Sequence, residues 1–164
     1  MDAIIHVQHL KINPIMKNHS TENGADEKVI RQKIDEYVAA IRVKDLEKVM
    51  GIFAPNLVSF DLEAPLRHMG AEAKRKNWTK AFNAYNDPIG YEIQDLTLTI
   101  ADNLAVGHSL NKISGTLQSG QKASYWVRWT TCLQKIDGEW YITHDHVSVP
   151  IDVATGKGVL NIEP

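Results

Sequence analysis

One cysteine, Cys132, in 164 residues excludes an internal disulfide and any multi-cysteine zinc site. No apolar run reaches the length of about eighteen residues that a membrane span needs, so no membrane partner is expected. The opening Met1-Asp2-Ala3-Ile4-Ile5-His6 lacks the positive start and apolar core of a secretory signal, and a cytoplasmic location is the expectation. Charge of one sign is missing too. With 18 Lys+Arg against 20 Asp+Glu the formal net charge is −2, which gives no basic footprint for nucleic acid. Repeats and low-complexity segments do not occur. What is present, 43% hydrophobic and 23% charged residues, is ordinary globular composition. A chain of this size buries roughly two-thirds of its unfolded surface without staples.

Residues 1–25 read as an arm and linker. Ile4, Ile5, Val7, Leu10 and Ile12 form a short apolar stretch broken by Asn13-Pro14, and the polar, turn-forming run Lys17 to Gly24 follows. From Asp26 the spacing becomes helical, with Val29, Ile30, Ile34, Tyr37, Val38 and Ile41 on one stripe. Asp45 starts a second helix that Pro55 is expected to stop, and 57–61 reads as a short strand ending on a carboxylate. Gly70 opens a third helix, Ala71 to about Tyr85. Four runs rich in Ile, Thr, Val, Tyr and Trp then cover 89–100, 104–117, 122–136 and 139–149. Asp102-Asn103, Ser119-Gly120 and Asp137-Gly138 separate them as hairpin connections. Helices first and strands later define an α+β fold: a cone-shaped, curled antiparallel sheet with about three N-terminal helices packed on its concave face. The domain is expected over 26–152 with a tail over 153–164. Such a concavity is a default small-molecule site.

Several stretches carry a family resemblance. Glu36 to Ile41, Asp45-Leu46, Ile52-Phe53-Ala54 and Val58 to Asp61 resemble the opening of the ketosteroid isomerase-like, or nuclear transport factor 2-like, superfamily. Gly70-Ala71-Glu72-Ala73, Arg128-Trp129-Thr130, Asp137 to Trp140 and His144 to Pro150 resemble its SnoaL-like branch. The resemblance implies a cone pocket without organic cofactor or metal, and a homodimer through the outer sheet face. It places Tyr37 and Asp61 at the isomerases' oxyanion donor and base, chemistry for which that enzyme is the standard worked case. The isomerases' second acid is missing from 122–136, where Thr130 or Arg128 would take its role.

The residues themselves leave alternatives. Asp61 either caps a turn or works as a base at the mouth, and Tyr37 is either a core tyrosine or an oxyanion donor. Arg128, between Trp126, Val127, Trp129 and Thr130, must be paired, solvated on the outer face, or an anchor for a carbonyl or anion. Trp126, Arg128 and Thr130 share one face by the period of two, as do His144, His146 and Ser148. The histidine pair could line the pocket with His146 as a relay, be structural, or hold a metal with His108 or Asp61. His108 is a pocket or structural histidine, and Trp78 and Phe82 line the cone or pack the core. Tyr125, Val127, Trp129, Thr131 and Leu133, with Tyr141, Val147 and Val149, are assigned outward as an apolar dimer face.

The function expected from this is a cofactor-independent isomerase, cyclase or dehydratase acting on a small apolar molecule bearing a carbonyl or carboxylate. Asp61 would be the base, with Tyr37 and Arg128 as oxyanion donors. The alternative is a binding or association module, as in the calmodulin-dependent kinase II association domain. A minor one is an iota-type carbonic anhydrase, similar through its histidine–serine ending. The Asp61 carboxyl discriminates the first two: apolar walls are expected to raise its pKa for catalysis, whereas a lowered one favours anchoring.

Overall fold

The computed structural model describes residues 19–164, so the expectations for residues 1–18 lie outside the described residues. The first helix, α1 (His19–Arg42), begins seven residues before the expected start. The polar residues from His19 to Ala25 continue the helix instead of linking to it. Asp26, read as a helix start, is an anchor within the helix: its Oδ1 accepts from Lys135 Nζ at 2.8 Å and Trp140 Nε1 at 2.9 Å. Ile30, Ile34, Tyr37 and Ile41 are buried along one stripe of α1 as their spacing predicts.

Helix α2 (Leu46–Met50) is capped by Asp45, whose carboxylate accepts from the Lys48 amide. It ends at Gly51, before Pro55. Strand β1 (Phe53–Phe60) therefore starts four residues earlier than expected. Pro55 has no amide to give a ladder, and the pairing of β1 is irregular between Phe53 and Val58, the segment that holds it. Strand β2 (His68–Met69) precedes α3 (Ala71–Ala84). Long strands β3 (Gly90–Ala101), β4 (Leu104–Thr116), β5 (Lys122–Ile136) and β6 (Glu139–Ser148) follow, then a small hairpin, β7 (Ile151–Asp152) and β8 (Lys157–Gly158). Asp137 and Gly138 both take positive φ, 51° and 87°, as a two-residue hairpin turn requires.

The main sheet runs β2-β1-β6-β5-β4-β3. Every pairing is antiparallel except β1 with β6, which is parallel. The sheet is curled with the three helices packed against it, the expected α+β cone. Its concave face is buried by Val127, Trp129, Thr131 and Leu133 of β5 and Ala105, Ser109 and Asn111 of β4.

This reverses the expected faces of two strands. The odd-numbered residues of β5 face inward, so the apolar row from Tyr125 to Leu133 is the cone's wall, not a dimer face. In β6, Trp140 and Ile142 are buried, yet so is Asp145. The register slips between Cys132↔His144 and Leu133↔Ile142, leaving Thr143 as an extra residue. That bulge flips the alternation. Asp145 and Val147 turn inward, and His144, His146 and Ser148 turn outward.

Candidate functional site

A cavity of about 320 Å³ opens between α1, α3 and the concave face of the sheet. Six aromatic side chains line it: Tyr37, Trp78, Tyr85, Tyr91, Tyr125 and Trp129. Tyr37 sits where they meet, its ring centroid 5.8 Å from Trp78, 6.2 Å from Tyr91 and 6.0 Å from Trp129. Burial pushes the Tyr37 phenol well above its usual pKa, and neighbouring Tyr91, Asp145 and Asp61 add to this. At pH 7 it is a neutral hydroxyl, as expected. Tyr91 accepts from Asn111 Nδ2 at 2.9 Å, and Asn111 in turn accepts from Ser109 at 2.6 Å. Burial pushes the Tyr91 pKa to about 12 against the lowering effect of the Asn111 bond.

The polar end of the cavity is built around Lys74, which is only 3% exposed. Its ammonium donates to Ser59 Oγ at 3.0 Å, Asp61 Oδ2 at 3.0 Å and Asp145 Oδ2 at 2.7 Å. An ammonium has three donors, and all three are used. Burial alone would lower the Lys74 pKa, but Asp145 and Asp61 outweigh it and raise it. Lys74 is therefore a fixed cation, unsuited to nucleophilic or general-base work.

The two carboxylates differ. Asp61, at the end of β1, is fully occupied: Oδ1 accepts from the Leu62 amide at 2.8 Å, and Oδ2 from Lys74 and from Asn77 Nδ2 at 3.3 Å. Desolvation pushes its pKa up, but Lys74, Leu62 and Asn77 together pull it below the usual carboxylate value. The expected raised Asp61 pKa is thus overturned, and the cause is Lys74, not Arg128. Asp145 is 1% exposed; its Oδ2 holds Lys74, while its Oδ1 is buried without a hydrogen-bond partner. Trp78 Nε1 is likewise buried and unpartnered. Each such atom costs about 1–3 kcal/mol when nothing answers it. Both belong to residues of the cavity wall.

Of the residues expected to form the site, Tyr37, Asp61 and Trp78 converge on this cavity. Phe82 is buried in the core beside Trp78, centroids 5.5 Å apart, and does not line it. The others sit on the convex face. Arg128 is exposed, opposite Leu110 and Ser148. Thr130 lies in a row between His108 and His146, all three exposed. Trp126 Nε1 donates to Glu163 at 2.7 Å beneath Lys112. His144 Nδ1 donates to the Val58 carbonyl at 2.8 Å, and Phe60 packs edge-on against both His144 and His146. Among the described residues no group of three His, Cys, Asp or Glu side chains is placed to hold a metal. The histidine–serine ending likewise lies outside the cavity. Arg128→Ala and His146→Ala are accordingly expected to shift stability by under about 0.5 kcal/mol and to leave ligand-induced thermal shifts unchanged. Calorimetric scans with and without ligand check this.

Sequence reading missed Lys74, Asp145, Tyr91 and Tyr125. Lys74 carried a signal: it lies one turn before Trp78 and two before Ala81 on the inward stripe of α3, where a lysine must find partners. Asp145 carried none, because the bulge at Thr143 hides its direction.

Comparison with known proteins agrees with this architecture. Residues 30–152 match the family described as "SnoaL-like domain". A nuclear transport factor 2-like protein of unknown function from Pseudomonas putida superposes with a TM-score of 0.79 at 28% identity, over 86% of this chain and 98% of that one. A putative scytalone dehydratase from Novosphingobium aromaticivorans gives 0.71 at 11% identity, over 78% and 86%. A ketosteroid isomerase-like protein from Erwinia carotovora gives 0.63 at 18% identity, over 74% and 93%. The last two show the shared fold alone. Among curated proteins none matches the chain.

Proposed function

The chain belongs to the SnoaL-like family, and from the geometry of its cone we propose that it binds a small, largely apolar molecule without metal or organic cofactor. The observation that carries this is the buried, unpartnered Oδ1 of Asp145, a residue of the aromatic cavity's wall. A carboxylate oxygen kept dry and unanswered is a cost that a bound donor would remove. Asp61, with both oxygens occupied and its pKa lowered, acts here as a positioning group that holds Lys74 and closes the polar end. Native mass spectrometry of untreated protein is expected to show a retained small molecule. Asp145→Asn and Trp78→Ala should each weaken its rebinding about tenfold or more, on the order of 1.4 kcal/mol. Empty protein, with both variants binding test ligands as well as wild type does, overturns the proposal.

A second reading, favoured by the same free oxygen, is proton transfer of the isomerase, cyclase or dehydratase type. The base would then be Asp145, with Tyr37 and Trp78 offering neutral donors to the developing oxyanion. Asp145→Asn would abolish turnover, and Asp61→Asn would act mainly through KM. Equal losses of kcat in both variants would reject this division of roles.

The proposed homodimer would use the convex face, where Phe60 is 38% and Val106 48% exposed. Sedimentation at micromolar concentration should give twice the chain mass. No helix of the described residues is long and apolar enough to cross a membrane.

A further inference from the structure

We propose that the molecule this cavity accepts is a small organic cation: a protonated amine with an apolar, ring-sized body and an acceptor oxygen a few atoms away. The inference rests on the pocket reading above and names the chemical class of its occupant. Three observations carry it.

The first is charge. Asp61, Glu63 and Asp145 line the cavity against Lys74 and Lys80, one negative charge in excess. Lys80 is half-exposed or more and paired with Glu63 at the mouth, so it adds no net positive charge there. The excess lies at the buried end, where two carboxylates share one ammonium.

The second is the direction of the hydrogen bonds on offer. All three Lys74 donors are taken by Ser59, Asp61 and Asp145. The interior therefore has no free cationic donor for a carboxylate or phosphate. Arg128, which the sequence offered as such a donor, is on the other side of the sheet. The free charged group is an acceptor, Asp145 Oδ1, on a side chain 1% exposed. An incoming N–H⁺ answers it and neutralises the excess charge at once, whereas an anion would meet repulsion with no compensating donor.

The third is the wall. Six aromatic rings around a desolvated negative group favour a cation over a neutral molecule of equal size, because ring faces attract positive charge most strongly away from water. The unpartnered Trp78 Nε1–H adds the requirement for an acceptor oxygen on the ligand.

A shape-matched series on the full chain tests this at pH 7: 2-phenoxyethylamine, 2-phenoxyethanol and phenoxyacetate, which share the ring and ether oxygen and differ in charge. Titration calorimetry is expected to give the amine at least a tenfold lower Kd than the alcohol, with no saturable binding of phenoxyacetate. In Asp145→Asn the amine should lose its advantage, to within about twofold of the alcohol. If that variant does not fold, the order of the three ligands on wild type decides alone. Alcohol equal to amine, or the anion binding best, overturns the cation assignment and leaves the pocket standing. Failure of all three to bind overturns both.

Discussion

Lys74→Met is expected to destabilise the protein by about 3–5 kcal/mol, the cost of leaving buried charge unpaired. For a chain of this length that corresponds to a fall in Tm of about 10 °C or more. The reason is the inventory around one atom. Lys74 Nζ answers Ser59, Asp61 and Asp145, and its removal leaves two carboxylates facing each other in a space where Asp145 is 1% exposed. The loss should depend on pH with a definite sign. Asp61 has a lowered pKa in the folded wild type, so its contribution is present above the unfolded value and disappears as pH falls through the folded one. Without Lys74 that contribution is gone. The gap between wild type and variant should therefore narrow only as pH falls below about 4, and be smaller at about pH 3 than at pH 7. The triple variant Lys74→Met, Asp61→Asn, Asp145→Asn should recover much of the loss at pH 7, because neutral replacement removes the unpaired charge. Urea denaturation at both pH values measures all three. A loss below about 1 kcal/mol at pH 7 would show that the cluster is not an electrostatic keystone of the fold.

How much of this was readable beforehand divides along a physical line. Features set by local chemistry were legible: the buried stripe of α1, the Asp45 cap, the Asp137-Gly138 turn, and the presence of four long strands. Tyr37 and Asp61 were legible as cavity residues through the family resemblance, and Trp78 through its place on the apolar stripe of α3. The faces of β5 and β6 were not. On β5 the row Tyr125, Val127, Trp129, Thr131, Leu133 is the more apolar one, and burial alone would have sent it inward. The chemistry carried by Arg128 drew the opposite row into the pocket. On β6 alternation could not settle the matter at all, since Ile142 and Asp145 are both buried across an odd separation. Only the slip at Thr143 reconciles them, and a bulge depends on pairing with β5 rather than on anything local. The Lys74 cluster shares this character: Ser59, Asp61, Lys74 and Asp145 come from three elements, and Asp145 lies 71 residues beyond Lys74.

Alkaline pH should unfold the protein steeply, and the cone is the reason. Burial raises the pKa of Tyr37, Tyr91 and Tyr125, and the paired carboxylates raise that of Lys74 against its own burial. A group with a raised folded pKa contributes stability that is complete below its unfolded value and is lost as pH climbs through the folded one. Unfolded tyrosine titrates near 10 and lysine near 10.4, so all four contributions begin to fall in the same window. Tyr91 alone, raised from 10 to about 12, carries about 3 kcal/mol at roughly 1.4 kcal/mol per unit. Tyr37, Tyr125 and Lys74 act in the same direction. As far as these groups decide it, stability should hold up to about pH 9.5, then fall with a slope of several protons above pH 10. Tyrosinate absorbance near 295 nm, followed with far-ultraviolet circular dichroism, separates the possible outcomes. Sealed phenols ionise only in the step that melts the sheet, so both signals should move together near pH 11–12. Ionisation of Tyr37, Tyr91 and Tyr125 near pH 10 with the sheet intact would mean that water and hydroxide reach the cavity floor freely. The dry environment that leaves Asp145 Oδ1 without a partner would then not exist. Tyr91→Phe removes one of the titrating groups and should make the alkaline limb shallower by about one proton, and a bound cation in the cone should shift the whole limb to higher pH in proportion to its affinity.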